Sequence, residues 1–337
     1  MSYTEFKDGY ARETTFKDGT TIDGAGDTAY LIGAISQRSE WPSPTYEMVY
    51  PATGVNAREV AATLPSKSKA SLRGMLGFVV QNGIICELAM GKSSTVDAAP
   101  LYTHTITPTT DGSLLPSIVL QHEEKGTATN EEYQFQGVKV DSLVLSHDAA
   151  GPNVLMAKVE IMAAYALDPG FALTTDPALP ATANASPYMS LTRTWDYGGT
   201  AISIDGLQKV EIAIINALEP QYAHSYDTTV YTGRWPYMFK ENPQKIYNIT
   251  MLMYKNTIER KIWDELVTAS NTKEVLFKWT RSANDYIQVT ATDCGVTVHP
   301  VVTPEVGEGD LIEVVLEPRA LSIEVKDSIT GVGFYGE

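Results

Sequence analysis

Apolar residues recur at every second position through the stretch from Leu101 to Met162. Ile118 and Leu120 set the period, followed by Leu143 and Leu145, then Leu155, Ala157, Val159 and Ile161. That spacing marks one face of a β-strand. It predicts a short strand, a long strand and a return strand, separated by HEEKGTATNEE and AAGPN. In the long strand Val138, Val140 and Val144 share one face, while Leu143 and Leu145 share the other. A strand apolar on both faces has to be covered on both.

Similar patterns flank this stretch. AYLIGAI and SLRGMLGFVV read as strands, the second with Leu72, Gly74, Leu76 and Phe78 on one face. Asn82 is placed to cap a short helix that Gly91 ends. WPSPTYEMVYPATGVNAREVAATLPS, residues 41–66, reads as a long segment holding four prolines, too long for an idle loop and with room for a hairpin. DPGFALTTDPALPATANASP has no period and reads as a Pro/Ala-rich spacer. GLQKVEIAII and KIYNITMLMY then read as strands. Asn256-Thr-Ile-Glu259 fits a capping box ahead of an apolar stripe at Ile258, Ile262 and Leu266. VLFKW, DYIQVTATDCGVTV, DLIEVVLEP and ALSIEV complete the strand set.

The two halves follow one order. SLRGMLGFVV, the Asn82 helix, LPSIVLQHE, EYQFQGVKVDSLVLS and VLMAKVEI match KIYNITMLMY, the Asn256 helix, EVLFKWTRS, DYIQVTATDCGVTV and LIEVVLEP. A duplicated unit can satisfy copies of a single interface, which favours ring or stacking geometry.

Composition narrows the chemistry. The chain has 337 residues, enough for two domains, and a formal charge of −16. The acidic excess is spread over both halves, and no Lys/Arg cluster forms a groove for nucleic acid. Cys86 and Cys294 are the two cysteines, expected as buried free thiols formed in a reducing cytoplasm. The first residues lack the basic-then-apolar pattern of a signal peptide, and no apolar run is long enough to span a membrane. The five histidines form no close ligand motif. His122-Glu123-Glu124 reads as a solvated strand end. No serine lies in G-x-S-x-G, and no glycine-rich loop sits between a strand and a helix. No enzyme, catalytic residue, cofactor or metal site is therefore predicted.

YTHTITP (102–108), LPSIVLQHEE (115–124), FQGVKVDSLVLS (135–146) and AGPNVLMAKVEI (150–161) stand in this order. Together they resemble the major tail tube proteins of long-tailed bacteriophages, best over residues 70–163. The resemblance implies a mainly β fold of two tandem tail-tube-like β-sandwich or barrel domains, each with a flanking α-helix. It divides the chain into an N-terminal arm (1–28), a first tube domain (29–167), a linker (168–188), a second tube-like domain (189–326) and a tail (327–337). It implies a structural virion protein that polymerises as stacked rings, a viral tail tube through which DNA passes without specific binding. Two domains per chain imply trimeric rings of pseudo-sixfold symmetry, with hexameric rings as the alternative. Implied partners are further copies and the terminator, tape measure and distal tail proteins. The implied place is the virion tail, assembled in the host cytoplasm. Candidate contacts between rings are Trp41, Tyr46 and Tyr50 in the first long segment. In the second, residues 216–244, they are Tyr222, Tyr226, Tyr231, Trp235, Tyr237 and Phe239. Two other readings stay open: a distal tail or baseplate ring protein, and a carbohydrate-binding β-sandwich with Trp235, Tyr237 and Phe239 around a cleft.

Overall fold

The computed structural model describes residues 3–13, 16, 30–31, 40–46, 70–98, 101–109, 114–126, 130–166, 187–197, 199–222, 236–242, 244–268, 273–298 and 311–329. The first half holds β1 (Tyr3–Arg12), β2 (Tyr30–Leu31), β3 (Glu40–Tyr46), β4 (Ala70–Val79) and helix α1 (Ile84–Met90). It continues with β5 (Gly91–Ala98), β6 (Leu101–Pro108), β7 (Ile118–Gly126), β8 (Asn130–Asp148), β9 (Met156–Ala163) and β10 (Tyr165–Ala166). The second half begins with β11 (Ser190–Tyr197), β12 (Thr200–Ser203), β13 (Leu207–Ile215), β14 (Glu219–Gln221), β15 (Met238–Lys240) and β16 (Ile246–Tyr254). Helix α2 (Thr257–Thr268) follows, then β17 (Val275–Ser282), β18 (Asp285–Thr292), β19 (Gly295–Val298), β20 (Leu311–Glu317) and β21 (Ala320–Asp327).

Most of these strands join two large sheets, and both sheets draw on both halves. The 12-stranded sheet runs β19-β20-β16-β13-β8-β7-β1-β2, with β9, β4 and β3 branching from β8. The 7-stranded sheet runs β12-β11-β17-β18-β21-β6-β5. The fold is mainly β, as the alternation predicts, with two helices among the described residues. The expected finer form is two tandem sandwich or barrel domains. Neither sheet closes on itself among the described residues, and the halves are joined strand to strand.

The long strand β8 explains the branching. Its first part pairs with β7, Ile118 opposite Val138 and Gln121 opposite Gln134. Its last part pairs with β9 on one side and β13 on the other. Leu143, Leu145, Val159, Ile161, Ile212 and Ile214 are all buried there. Each such side chain stabilises the fold by about 1.5–3 kcal/mol. The halves are therefore fused through a core, and the two-faced apolar pattern of β8 is its sequence record.

The N-terminal arm also packs on its own chain. β1 lies antiparallel along β7, from Tyr3 opposite Gly126 to Arg12 opposite Ile118. Glu13 then accepts the Gly137 amide proton at 2.8 Å. The strand expected over Ala29–Ile35 is described only at Tyr30–Leu31.

Both expected helices form. The N-cap of α1 is Gly83 rather than the expected Asn82 and has no side-chain cap bond; Asn82 Oδ1, one residue earlier, accepts the Ile84 amide proton at 3.1 Å, and Gly91 ends α1 at φ 101°, its N–H bonded to the Glu87 carbonyl. That left-handed turn suits glycine. Asn256 Oδ1 accepts the Ile258 and Glu259 amide protons at 2.8 and 3.1 Å, capping α2. Ile262 of α2 is fully buried.

The order of elements in the two halves is related differently from the sequence match. DYIQVTATDCGVTV is two strands, not one. The chain breaks at Asp293, where φ is 55°, and passes from β18 in one sheet to β19 in the other. Cys294 thus lies between strands. EVLFKWTRS corresponds to the β5 strand after α1 rather than to LPSIVLQHE: α1 leads into the β5–β6 hairpin as α2 leads into β17–β18.

Candidate assembly site

Two junctions hold the halves. In the large sheet, Lys209–Ile215 of β13 pairs with Asp148–Ser142 of β8. In the second sheet, β21 is inserted between β18 and β6, with Ile323 opposite Ile106 and Val325 opposite His104. Gly83 lies under β21: a Cβ there would stand 2.3 Å from Val325 Cγ2.

Buried polar groups tie each junction. Asn216, just after β13, donates from Nδ2 to the carbonyls of Ala89 and Val140 at 3.0 and 2.9 Å. Lys245 Nζ donates to Asn216 Oδ1 at 2.7 Å and to the Ala89 carbonyl at 3.3 Å. Beside it, Glu241 accepts the Lys139 ammonium proton at 2.6 Å and the Leu115 amide proton at 2.9 Å. Burial pushes the Lys245 ammonium down to about 8, with Lys139 adding to that and Glu241 opposing it.

At the second junction His104 is fully buried, with Nδ1 at 2.9 Å from Thr95 Oγ1 and Nε2 at 3.2 Å from Asp327 Oδ1. Asp327 Oδ1 also accepts the Ile329 amide proton. Arg281 donates to the Gln81 carbonyl at 2.6 Å and stacks 4.3 Å from the Tyr188 ring. Tyr188 in turn donates to Asp285. Thr95, His104 and Asp327 follow the order hydroxyl, imidazole, carboxylate. Burial of the imidazole and use of both its nitrogens between β5 and β21 make this a clamp between the halves. The described apolar pocket, between α1 and the large sheet, is lined by other residues, including Phe78, Leu88 and Val140.

Burial pushes the thiols of Cys86 and Cys294 up to about 12. No group of three or more His, Cys, Asp or Glu among the described residues is placed to hold a metal ion. His122 is a buried strand residue stacked on Tyr133 at 6.1 Å, not a solvated turn. No helix among the described residues is long and apolar enough to cross a membrane.

The expected contact residues divide. Tyr237 is 67% exposed, beside Met238 at 39%. Phe239 is 1% exposed, packed edge-on against Phe16 at 5.8 Å in a cluster with Leu115, Met162 and Leu218. It belongs to the core and is not a surface contact of the kind expected: strand alternation in β15 turns it inward while its neighbours face out. Tyr222 is half-buried. Trp41 and Tyr46 lie in β3, at the start of the long segment. Tyr50, Tyr226, Tyr231 and Trp235 lie outside the described residues, as does most of the linker.

The sequence pattern does not show that β3 and β19 have a partner on one side only among the described residues, because pairing partners are set by the whole sheet. It also missed the exposed apolar residues at the two ends of β16. Ile246 stands at one end, and Tyr254, opposite Leu311, at the other. Compared with known family models and with curated proteins, the chain matches none.

Proposed function

We propose that the chain is a structural virion protein that polymerises as stacked rings into a phage tail tube. The observation that carries this reading is a repeated strand order. The first half contributes β3-β4-β9-β8 to the large sheet, and the second contributes β13-β16-β20-β19. Two copies of one four-stranded unit, set edge to edge, form an arc of a larger wall. This agrees with the tandem tube domains that the sequence motifs suggest. Three chains would supply six units to a trimeric ring of pseudo-sixfold shape.

The charge of −16 suits a conduit. An acidic wall repels phosphate, so DNA moves past it without being gripped. The exposed apolar residues at opposite ends of β16 suit contacts between rings, as do the exposed Tyr237 and Met238. The role asks for no catalytic residue or cofactor. Its partners are further copies and the terminator, tape measure and distal tail proteins, in a virion tail assembled in the host cytoplasm.

Electron microscopy of the purified protein at rising concentration tests the reading. Hollow tubes of regularly stacked rings are expected. A protein that stays monomeric at high concentration, or forms a single closed ring that never stacks, would overturn it.

A further inference from the structure

A buried amine and a buried carboxamide face each other just beyond the β13–β16 ladder. Ile215 stands opposite Ile246, and Asn216 and Lys245 are the next residue on each strand. Lys245 Nζ lies 2.7 Å from Asn216 Oδ1. The carbonyl bond adds about 1.2 Å, so Nζ is no more than about 4 Å from Cγ. A small rotation of the lysine stem brings it to the roughly 3–3.5 Å from which reacting atoms meet. The carboxamide cannot turn away. Both Nδ2 protons are given to main-chain carbonyls, Ala89 at 3.0 Å and Val140 at 2.9 Å, which fixes Oδ1 toward Lys245. Asn216 is 1% exposed, so water has little access to compete with the amine. Burial also holds a share of Lys245 in the neutral, nucleophilic form near pH 7.

We propose that Lys245 and Asn216 join in a covalent amide bond after the chain has folded. The lone pair of the neutral Nζ attacks Cγ, and the π pair of the carbonyl moves onto Oδ1. One proton passes from Nζ to Nδ2. The pair on Oδ1 then re-forms the carbonyl, the Cγ–Nδ2 bond breaks, and ammonia leaves. One carbon–nitrogen bond replaces another, so no oxidant, nucleotide or other co-reactant is consumed. The surroundings suit each stage. The Lys139 ammonium, whose charge reaches Lys245, offsets the negative charge on Oδ1, and Glu241 holds it at 2.6 Å. The Ala89 carbonyl lies 3.3 Å from Nζ and 3.0 Å from Nδ2, so it bonds the attacking and the leaving nitrogen alike.

The bond closes residues 216–245 into a covalent loop that contains β14 and β15. Fraying at this end of the β13–β16 ladder could then no longer release the loop. Until the bond forms, Lys245 titrates as a free amine; afterwards it does not titrate. The chemistry does not rest on the tail-tube reading. In a tube it would fasten the base of the loop that presents Tyr237.

Mass spectrometry of the full-length chain tests the bond, on fresh protein and on protein aged in the folded state at pH 9. The chain should become lighter than its sequence by one ammonia. A digest should yield a branched peptide that joins the Asn216 segment to the Lys245 segment. Lys245→Arg keeps the positive charge but leaves no amine, and should retain its full mass. Wild type aged in guanidinium gives a second control that does not depend on a variant folding, and should form no branched peptide. Folded wild type that keeps its full mass after ageing, with the two peptides separate, would overturn the proposal. Loss of ammonia without a branched peptide would overturn it too, because it marks a succinimide formed by Asn216 with the next backbone nitrogen.

Discussion

Gly83 measures how closely the halves fit at the scale of one residue. Its missing side chain makes room for Val325, from the last strand of the chain. Gly83→Ala forces a methyl against a β-branched neighbour held in a strand, so the backbone has to shift. A loss of about 1–3 kcal/mol is expected, as for an overpacked core, read as a lower midpoint in urea unfolding. An unchanged midpoint would show that β21 and α1 part easily. Lys245 gives a pH dependence of known sign. Its folded value of about 8 lies below the usual 10.5. Between these values the unfolded chain binds the extra proton, so stability rises with pH across that window and is indifferent to this group below it. Comparing wild type with Lys245→Met at pH 7.5 and pH 10 isolates the effect. Wild type should gain on the variant at the higher pH; parallel behaviour of the two would refute it.

At the scale of elements, strands with strict alternation were legible in the sequence, and so were both helices, although only the cap of α2 was placed at the right residue; α1 starts from Gly83, not Asn82. Asn256→Ala removes the oxygen that holds the Ile258 and Glu259 amides. It should cost about 1 kcal/mol, within the usual 0.5–2 for such caps, measured by thermal unfolding. Side-chain direction in the short β15 was not legible. Alternation alone would set Tyr237 on the face of Phe239, two residues on, but Tyr237 stands just outside the three-residue strand and is in solvent while Phe239 is in the core. Their substitutions should therefore differ. Phe239→Ala should destabilise by about 3–5 kcal/mol. Tyr237→Ser should leave the unfolding midpoint almost unmoved and shorten the tubes seen by electron microscopy. Tubes of normal length from Tyr237→Ser would remove it from the contacts between rings. The break at Asp293 was hidden for a different reason. DYIQVTATDCGVTV keeps its alternation on both sides of the turn, so the pattern records two strands without recording that they part into different sheets. Proline is unfavourable within a sheet, yet β3 holds Pro42 and Pro44. Among the described residues β3 pairs on one side only, and a proline nitrogen turned to the other side faces no described strand, which makes the strand permissible.

At the scale of the whole molecule, in the proposed tube the placement of the second half decides the number of chains in a ring. Two arrangements compete. In one, three chains each place both units in the wall. In the other, six chains place the first unit in the wall and residues 190–326 outside it. The linker of 20 residues between 168 and 187 reaches at most roughly 60–70 Å, so its length permits both. The sheet does not treat them alike. A second half hung outside would leave the closing edge of β8 free for the next copy. That edge is instead taken by β13 over seven residue pairs, with Ile212 and Ile214 fully buried beside it. Moving the second half outward would expose those side chains, at about 1.5–3 kcal/mol each, and would also draw β21 away from β6. The wall position keeps both junctions. Averaged cryo-electron microscopy of assembled tubes should accordingly find three chains per ring, with β13, β16 and β20 in the same wall as β8, β9 and β4. Six chains per ring with residues 190–326 projecting outward would overturn the argument, because it would mean that the β8–β13 junction opens on assembly.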